Sequence, residues 1–579
     1  MSPMFSSLKV STNATPYQNE DVLPLPPHRR TWSKKTFVFF WLSTAINIAE
    51  WSAASTSLAI GLTVGQASAG EQPQIRIHMS SITEFRQFAL ITLCLVVSGQ
   101  AGGKWHVPFA VVNRTGWGLR GSWFVVLNRI VLSCCWYGVG GWYGGEMVKI
   151  MIGAIWRMQF LTLSVPLKST SAFTASFYNM KNHFPANLGM KTNEFVSFII
   201  FWLISLPIFF LRPERYRVPA VISSVIVTIA AFAIFIWALV KQGNVGPLWH
   251  NPETETGQAR LSGSKLSWAM MYMITRGVGG WAGGILYQSE YTPDFSRYAQ
   301  KPGDQIWGQV FIIPVCLFGS NLLGIITTSC ARGLYPEEPL LWKLYDLLEA
   351  IQKHGGNGSR AAVFFAAFAF FLSQICMNVV SCGVVGGMDL AALLPRYITI
   401  RRGSFIIAAI GIVINPWKFL NTANSFITAI SAYAVFLGPL TGIMFTEYHV
   451  LRRRKIKLSH LFLPTSKSNY WFSHGINWKA PVAWVLGVFP SMPGFSAAVT
   501  PTKVSVSDRW THVYYMSWFL GFFISGTVWM FLNVTWPPPG LEEVDDDDVF
   551  GTFGPAGKSS ESTSLEKGIE AEASNVKDI

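Results

Sequence analysis

Charged residues are scarce in this chain. They make up 13% of its 579 residues, whereas a soluble globular protein contains about 25%. This shortage excludes an ordinary water-soluble protein. The net charge of +14 does not indicate a nucleic-acid partner, because the basic residues cluster in short loops between apolar runs. The first 35 residues lack an apolar core, so we expect no cleavable signal peptide.

Residues for metal or disulfide chemistry are also few. The seven cysteines fall in apolar runs and none has the spacing of metal ligands, so we expect no metal, no cofactor and no disulfide framework. The chain has no His-Glu-x-x-His and no His-x4-Asp motif, and His106 and His449 lie at the ends of apolar runs. An intramembrane enzyme is therefore the weaker alternative, and we predict no enzymatic activity.

Apolar and aromatic residues are abundant. Half of the chain is hydrophobic, with 24 Trp and 42 Phe, and the mean hydropathy is +0.33. Because a helix needs about 20 apolar residues to cross a bilayer, we predict an all-α membrane protein with about twelve transmembrane segments, numbered in chain order. The segments are 37–65, 87–111, 122–152, 193–211, 217–240, 266–288, 305–331, 361–391, 404–415, 423–447, 480–497 and 512–534.

Basic loops orient these segments. If the N-terminus is cytoplasmic, the loops after segments two, four, six, eight and ten are also cytoplasmic, and all five contain Lys or Arg. The longest basic run extends from Arg452 to Lys457. The positive-inside rule therefore places both termini in the cytoplasm. Segment nine is the shortest, and its span is the least secure.

Two ionisable residues lie deep in predicted membrane segments. Because a helix rises 1.5 Å per residue, Glu50 in segment one and Arg276 in segment six both lie near the bilayer midplane, judged by their distance from the start of each segment. Their surroundings are rich in serine or glycine, which suits interrupted helices. Paired interrupted helices in matching positions of two repeats indicate the binding site of a transporter. A structural ion pair between Glu50 and Arg276 is the alternative.

Segments three and eight hold further candidates. The run Trp136-Tyr137-Gly138-Val139-Gly140 continues to Gly145. Aromatic faces stack on planar rings and glycines permit close approach, although helix packing alone also explains the glycines. Asp389 ends segment eight, where a carboxylate either binds a proton or caps the polar boundary.

After segment six, Pro293 ends the helix and begins the polar turn Pro293-Asp294-Phe295-Ser296-Arg297-Tyr298.

Together these motifs resemble the nucleobase–cation symporter family, and most of all its fungal Fur-type branch of uracil, allantoin and uridine permeases. The similarity extends from about residue 19 to 460. The matching pieces include the stretch from Asp21 to Trp32, His106-Val107-Pro108-Phe109, the turn 293–298, Leu394-Pro395-Arg396-Tyr397 and Asn415-Pro416-Trp417-Lys418. The resemblance implies a five-plus-five inverted-repeat (LeuT-like) core with two extra helices, working by alternating access.

The resemblance also implies a substrate site. Trp136 matches the stacking Trp of segment three, and Trp281 is the second aromatic, in segment six. Gly140 stands where the family has a Gln, and Cys382 stands where its ligand-binding Asn is usual. Asn378 matches an Asn one turn earlier. Because buried hydrogen bonds distinguish similar ligands, these departures favour a modified or larger heterocycle.

The coupling ion follows from the same segment. Sodium-coupled members have hydroxyl side chains where this chain has Cys376 and Met377, which are poor ligands for a cation that prefers oxygen. Proton coupling is therefore expected, with Glu50, Arg276 and Asp389 as the coupling residues, and sodium is the weaker alternative.

We accordingly expect four parts: a cytoplasmic tail at 1–35, a transport core at 36–447, a cytoplasmic loop with two additional helices at 448–534, and a disordered acidic tail at 535–579. The expected function is import of a small planar nitrogen heterocycle with protons, at the plasma membrane. A transporter for thiamine, nicotinamide riboside or a related vitamin, and a non-transporting nutrient sensor, are the alternatives. The expected partners are the small-molecule substrate and the lipid bilayer; the oligomeric state is not predicted.

Overall fold

The structure is a computed structural model. It describes residues 10, 14–59, 92–162, 177, 180–185, 188–249, 263–269, 271–272, 292–420, 433–500 and 502–553. Within these ranges the protein is helical and contains no β-strand, only two isolated bridges, Trp32 to Ala299 and Ser473 to Ile476. The predicted all-α class is confirmed.

Eight helices in the described ranges are long and apolar enough to cross a membrane. They are Ser122–Ile155, Thr192–Phe210, Pro213–Gln242, Asp304–Leu334, Asn357–Leu393, Ala434–Leu451, Lys479–Val499 and Ser517–Thr535. They coincide with predicted segments three, four, five, seven, eight, ten, eleven and twelve. The total of twelve segments stays a prediction.

Segment one is interrupted. It consists of two helices, Lys34–Ala45 and Ile48–Ala59. The side chain of Asn47 stabilises the break, because its Nδ2 donates to the carbonyl of Thr44 at 2.6 Å and its Oδ1 accepts from the amide of Glu50 at 3.0 Å. The predicted interruption is therefore confirmed in segment one. The matching stretch around Arg276 in segment six lies outside the described residues.

Within the described part of segment two, residues 92–105 form a helix. Segment nine is shorter in the structure than a full span. Segment nine forms Ile400–Val413, a helix of 14 residues, which is about 21 Å long, whereas the hydrocarbon core is about 30 Å thick. It still packs closely on segment eight, since a Cβ added at Gly403 would lie 2.7 Å from the Cα of Gly387.

Segment three lies at the centre of the molecule. Its helix, Ser122–Thr162, has 41 residues and packs against Asn357–Met377, Thr192–Ser205 and Ile400–Val413. Of the residues in its apolar 18-residue stretch, 67% are buried, compared with 28% in the corresponding stretch of Thr192–Phe210. Segment three is therefore surrounded mainly by protein, and its polar and small residues are placed to form a site.

An amphipathic helix that the sequence analysis did not predict, Leu344–His354, lies between segments seven and eight. Its Glu349 pairs with Lys149 of segment three at 3.3 Å. Lys149 also pairs with Glu146 at 2.7 Å and with Glu194 at 3.4 Å. One buried lysine thus joins segment three, segment four and this helix.

The N-terminal tail docks on the loops that follow segments six and eight. The carbonyl of Asp21 accepts from both terminal nitrogens of Arg297 at 3.0 Å, and its carboxylate accepts from the amide of Ile400 at 3.0 Å. The rings of Trp32 and Phe295 stack at 5.3 Å. The prolines of this tail favour an extended chain, which can lie along the loops that it contacts.

The C-terminal tail corrects one prediction. Residues 535–579 were expected to be disordered, but 535–553 pack on the loop after segment ten. Glu542 pairs with Arg453 at 3.1 Å and with Lys455 at 3.4 Å, and Asp545 accepts from the amide of Ser459 at 3.0 Å. The acidic composition cannot form a core by itself, but it is complementary to the basic run of the same chain. Residues 554–579 lie outside the described ranges.

Candidate functional site

Segments three and eight meet at Gly140. A Cβ added at Gly140 would lie 2.4 Å from Oδ1 of Asn378 and 2.9 Å from Nε2 of Gln374. Any other residue at position 140 would therefore displace one of these two amides. The structure brings together two of the predicted substrate residues, Gly140 and Asn378, and adds Gln374, which the sequence analysis did not identify.

Segment eight has an altered helical geometry at this point. The α-helix Asn357–Met377 widens into a π-helix over Asn378–Val384 and resumes as Val385–Leu393. A π-helical turn is rare and often lies at a functional site, because it shifts side chains relative to a regular helix. Both predicted substrate residues of segment eight, Asn378 and Cys382, belong to this stretch.

Asn378 is buried without a partner. It is 1% exposed, and neither its Oδ1 nor its Nδ2 makes a hydrogen bond in the described structure. Leaving a buried polar group unpaired costs about 1–3 kcal/mol. An amide with both a donor and an acceptor free, opposite a glycine, is suited to pair with a ligand that presents a complementary acceptor and donor.

Trp136 and Cys382 border the same region. Trp136 lies one helical turn before Gly140, hence on the same face of segment three, and is half-buried. Cys382 is 5% exposed and lies near Tyr137. The predicted second aromatic, Trp281, lies outside the described residues.

The neighbouring glycines of segment three serve packing. A Cβ at Gly144 would lie 2.1 Å from the ring of Phe201, and a Cβ at Gly145 would lie 2.6 Å from the Cα of Phe198, both in segment four. The two interpretations of the glycine cluster therefore apply to different residues. Gly144 and Gly145 permit helix contact, whereas Gly140 faces the amides of segment eight.

Glu50 lies at the break of segment one. It is half-buried in the first turn of Ile48–Ala59, where the helix dipole favours a carboxylate. It is close to Tyr143, one turn beyond Gly140 on segment three. Glu50 is thus placed next to the candidate substrate region. Its predicted partner Arg276 lies outside the described residues.

Asp389 belongs to a different cluster. Its carboxylate is fully buried and pairs with Arg129, whose Nε lies 2.5 Å from Oδ2 of Asp389. The same guanidinium is 2.7 Å from the carboxylate of Asp294, which also accepts from the amide of Phe109 at 3.0 Å. One buried arginine therefore joins segment three, the turn after segment six and the end of segment eight.

The sequence analysis missed Gln374 and Arg129. Gln374 lies four residues before Asn378, on the same face of segment eight, and this spacing could have indicated it. Arg129 lies seven residues inside segment three, and an arginine at that depth needs a partner. Its two carboxylates are more than 160 residues away in sequence, so no local pattern connects them.

Segment eight meets segments one and five at Cys376, one of the two positions that bear on the identity of the coupling cation. Cys376 is buried beside Ser43 of segment one and Ser223 of segment five, whose hydroxyl oxygens are 3.5 Å apart. Segment eight thus approaches the interrupted segment one with a thiol, and the two hydroxyls come from other helices.

Comparison with known proteins gives the family. Residues 24–521 match the family described as permease for cytosine/purines, uracil, thiamine, allantoin. The chain is 30% identical to the allantoin permease of Saccharomyces cerevisiae over 92% of its own length and 78% of the relative. It is also 30% identical to the uridine permease of Saccharomyces cerevisiae, over 93% and 78%.

A solved structure shares the fold. Mhp1, a nucleobase-cation-symport-1 family transporter in a closed conformation with bromovinylhydantoin bound, matches with a TM-score of 0.61 and 18% identity, covering 95% of this chain and 99% of Mhp1. The predicted LeuT-like fold is confirmed by this likeness. From the length of the family match we conclude that the chain belongs to this permease family and is a multi-pass membrane transporter, not an enzyme.

Proposed function

We propose that this protein imports a small planar nitrogen heterocycle, of nucleobase, allantoin or nucleoside type, by alternating access. The observation that carries the proposal is the unpaired amide of Asn378, buried opposite Gly140 and beside Gln374. Heterocycles of this class present N–H and C=O groups side by side, which an amide side chain can pair in both senses. The allantoin and uridine permeases among the relatives support this substrate class.

The aromatic part of the site supports a planar ligand. Trp136 lies on the face of segment three that carries Gly140. An indole ring stacks on any planar ring irrespective of its substituents, whereas amides select among them by hydrogen bonding. Trp136 would thus supply affinity, and Gln374 and Asn378 would supply selectivity.

We propose a proton as the coupling ion. Cys376 and Met377 offer sulfur where oxygen ligands would favour sodium. Glu50 lies at the break of segment one and close to segment three, where a proton can be exchanged as the helices move. Asp389 remains a second candidate, within the Arg129 cluster.

The proposed location is the plasma membrane, with both termini in the cytoplasm. Five basic loops agree with this orientation. The docked N-terminal tail and residues 535–553 both contact the loops that this orientation places inside.

A vitamin of thiamine or nicotinamide riboside type is the second candidate substrate. The space beside Gly140 is taken by the Asn378 amide, but Cys382 is slightly smaller than the Asn that the resemblance leads one to expect and leaves more room. The family description includes thiamine. A larger heterocycle would use this room, with Asn378 as its hydrogen-bonding partner.

Uptake by proteoliposomes tests the proposal. Purified protein is reconstituted with an inward proton gradient and offered labelled uracil, allantoin, uridine and thiamine. We expect accumulation of one of the first three, abolished by Asn378→Ala. Accumulation of thiamine alone would select the second candidate. Binding of a ligand without flux would indicate a sensor and contradict the proposal.

A further inference from the structure

A cavity of about 400 Å³ lies away from the candidate substrate site, between segments two, ten and twelve. Its wall includes Val97 of segment two, Met444 of segment ten and Phe519 of segment twelve. Two further lining residues, Leu93 and Phe523, are 58% and 64% exposed. Because exposed apolar residues of a membrane helix face lipid, the cavity opens sideways into the bilayer.

The wall of the cavity is almost entirely apolar. Of its few polar groups, Thr441 donates to the carbonyl of Leu437 at 3.0 Å, and Nε2 of His449 lies 3.1 Å from the carbonyl of Val97. A hydrophilic solute would lose its hydration there without replacement. A hydrocarbon chain would lose nothing, and the volume lies in the range of ligand pockets, about 300–1,000 Å³.

One end of the cavity is different. Tyr448 lines the cavity and is 3% exposed, and its hydroxyl lies close to the indole N–H of Trp105 and to Arg454. An indole N–H can only donate, so the hydroxyl proton of Tyr448 is left to donate to another group. The carbonyl of the same residue accepts from the amide of Arg454 at 2.8 Å. This buried hydroxyl therefore marks the end of the cavity that lies nearest to the basic loop.

Two cations at this end have no carboxylate partner among the described residues. Nζ of Lys104 donates to the carbonyl of Arg454 at 2.9 Å, and both side chains are exposed. Arg453, Lys455 and Lys457 differ, because Glu542 or Glu543 of the C-terminal tail pairs with each of them. The positive charge that residues 535–553 leave uncompensated is thus located at the polar end of the cavity.

We propose that this cavity binds an anionic phospholipid, with an acyl chain between segments two, ten and twelve and the phosphate on Lys104 and Arg454. Basic residues beside a groove between membrane helices attract anionic headgroups, and a guanidinium pairs well with phosphate oxygens. The Tyr448 hydroxyl would donate to an ester oxygen of the lipid. In the proposed orientation of the chain, this lipid belongs to the cytoplasmic leaflet.

Native mass spectrometry of the purified full-length protein tests the site. The protein is equilibrated with phosphatidylserine, phosphatidylcholine or ergosterol in detergent, and the retained lipid is counted. We expect selective retention of phosphatidylserine, reduced roughly tenfold or more by Lys104→Ala with Arg454→Ala, since each basic residue near the surface contributes about a fivefold change in affinity. Arg453→Ala is the matched control, because Glu542 already neutralises that residue.

A second variant tests the apolar part. Val97→Trp fills the cavity and should reduce retention of phosphatidylserine, whereas Ile229→Trp, at a 65% exposed position of segment five, should not. Should Val97→Trp fail to fold, the surface pair at 104 and 454 still decides the question. Three results would each overturn the proposal: equal retention of the two phospholipids, retention of ergosterol alone, or wild-type retention of phosphatidylserine by the double variant Lys104→Ala with Arg454→Ala. Because binding is measured rather than uptake, these outcomes do not depend on the proposed transport function.

Discussion

At the residue scale, the amide of Asn378 is the most informative side chain. It is buried in the protein interior, and the residue of segment three that faces it, Gly140, has no side chain to pair with it. A buried amide without a partner destabilises the protein unless a ligand completes it. The position of Asn378 also explains why residue 140 is a glycine, because the amide of Asn378 occupies the space that a side chain at position 140 would need.

Gly140→Ala should therefore impair ligand binding. The added Cβ would meet Asn378 Oδ1 at 2.4 Å and force the amide away from its position. We expect at least a tenfold loss of affinity for the transported heterocycle, measured by ligand-induced thermal stabilisation. Gly319→Ala is the matched control, since a Cβ there meets nothing within 4 Å. Unchanged affinity in Gly140→Ala would remove this position from the site.

Trp136 provides a second test. Trp136→Ala should abolish uptake at normal surface expression, and Trp136→Phe should retain part of it. Stacking of a base on an aromatic ring contributes about 1–3 kcal/mol, which corresponds to an effect of roughly 5- to 150-fold. Initial uptake rates at several substrate concentrations would show the loss. Normal uptake by Trp136→Ala would mean that segment three does not contact the ligand.

Sequence alone predicted part of this site and not the rest. Trp136, Gly140 and Asn378 were named because the resemblance to the permease family implies a substrate role for their positions. Gln374 was missed because helical spacing gives the face of a residue but not its partner on another helix. Arg129 was missed for the same reason, because its partners Asp294 and Asp389 are distant in sequence and only the fold brings them together.

At the element scale, the Arg129 cluster joins three elements through one cation. Arg129→Gln should destabilise the protein, because two carboxylates would remain buried without a counter-charge. Breaking a buried pair in this way costs about 3–5 kcal/mol, so a clear fall in melting temperature is expected. Adding Asp294→Asn and Asp389→Asn to Arg129→Gln should recover part of the loss. A triple variant no more stable than Arg129→Gln would contradict this electrostatic account.

The loop after segment ten should respond to pH through His460. Burial lowers the pKa of His460 below its usual value of 6.5, and its neutral Nδ1 accepts from the amide of Asn469 at 3.0 Å. The contribution of His460 to the stability of this loop is therefore complete above pH 6.5 and is lost as the pH falls through the lowered pKa. Hydrogen exchange at 460–470, corrected for the intrinsic rate, should increase between pH 6.5 and 5.

His460→Gln is the matched control for this prediction. Glutamine keeps an acceptor for Asn469 and does not titrate. Its exchange at 460–470 should be independent of pH over the same interval, because hydrogen bonds from Asn469 and Lys457 lower the pKa of Glu543 and keep that group charged. The same pH response in the variant and the wild type would assign the effect to another group.

Sequence analysis predicted those helices whose formation depends only on the composition of their own residues. Eight of the predicted segments are long apolar helices in the structure, because length and hydropathy suffice for a membrane span. The helix Leu344–His354 and the ordered tail at 535–553 were not predicted. Both are stabilised by charges elsewhere in the chain, Lys149 for the helix and Arg453 with Lys455 for the tail.

At the scale of the whole molecule, transport requires that ligand and ion sites change together. Segment one is broken at Asn47 and carries Glu50 in its second half, next to segment three. The Arg129 cluster ties segment three to the turn after segment six and to segment eight. Movement of segment one against this connected set would alter the surroundings of Glu50 and of Asn378 at once, and we propose that a proton is linked to the substrate in this way.

Glu50→Gln should therefore uncouple transport from the proton gradient. We expect the variant to exchange labelled for unlabelled substrate across proteoliposomes but to lose uphill accumulation and its dependence on external pH, because glutamine cannot carry a proton. Replacing sodium by choline should leave wild-type uptake unchanged. Glu337→Gln, at an exposed position, is the control and should accumulate substrate normally. If wild-type uptake collapses without sodium, or if Glu50→Gln accumulates substrate with the wild-type pH dependence, then Glu50 is structural and the coupling ion binds elsewhere.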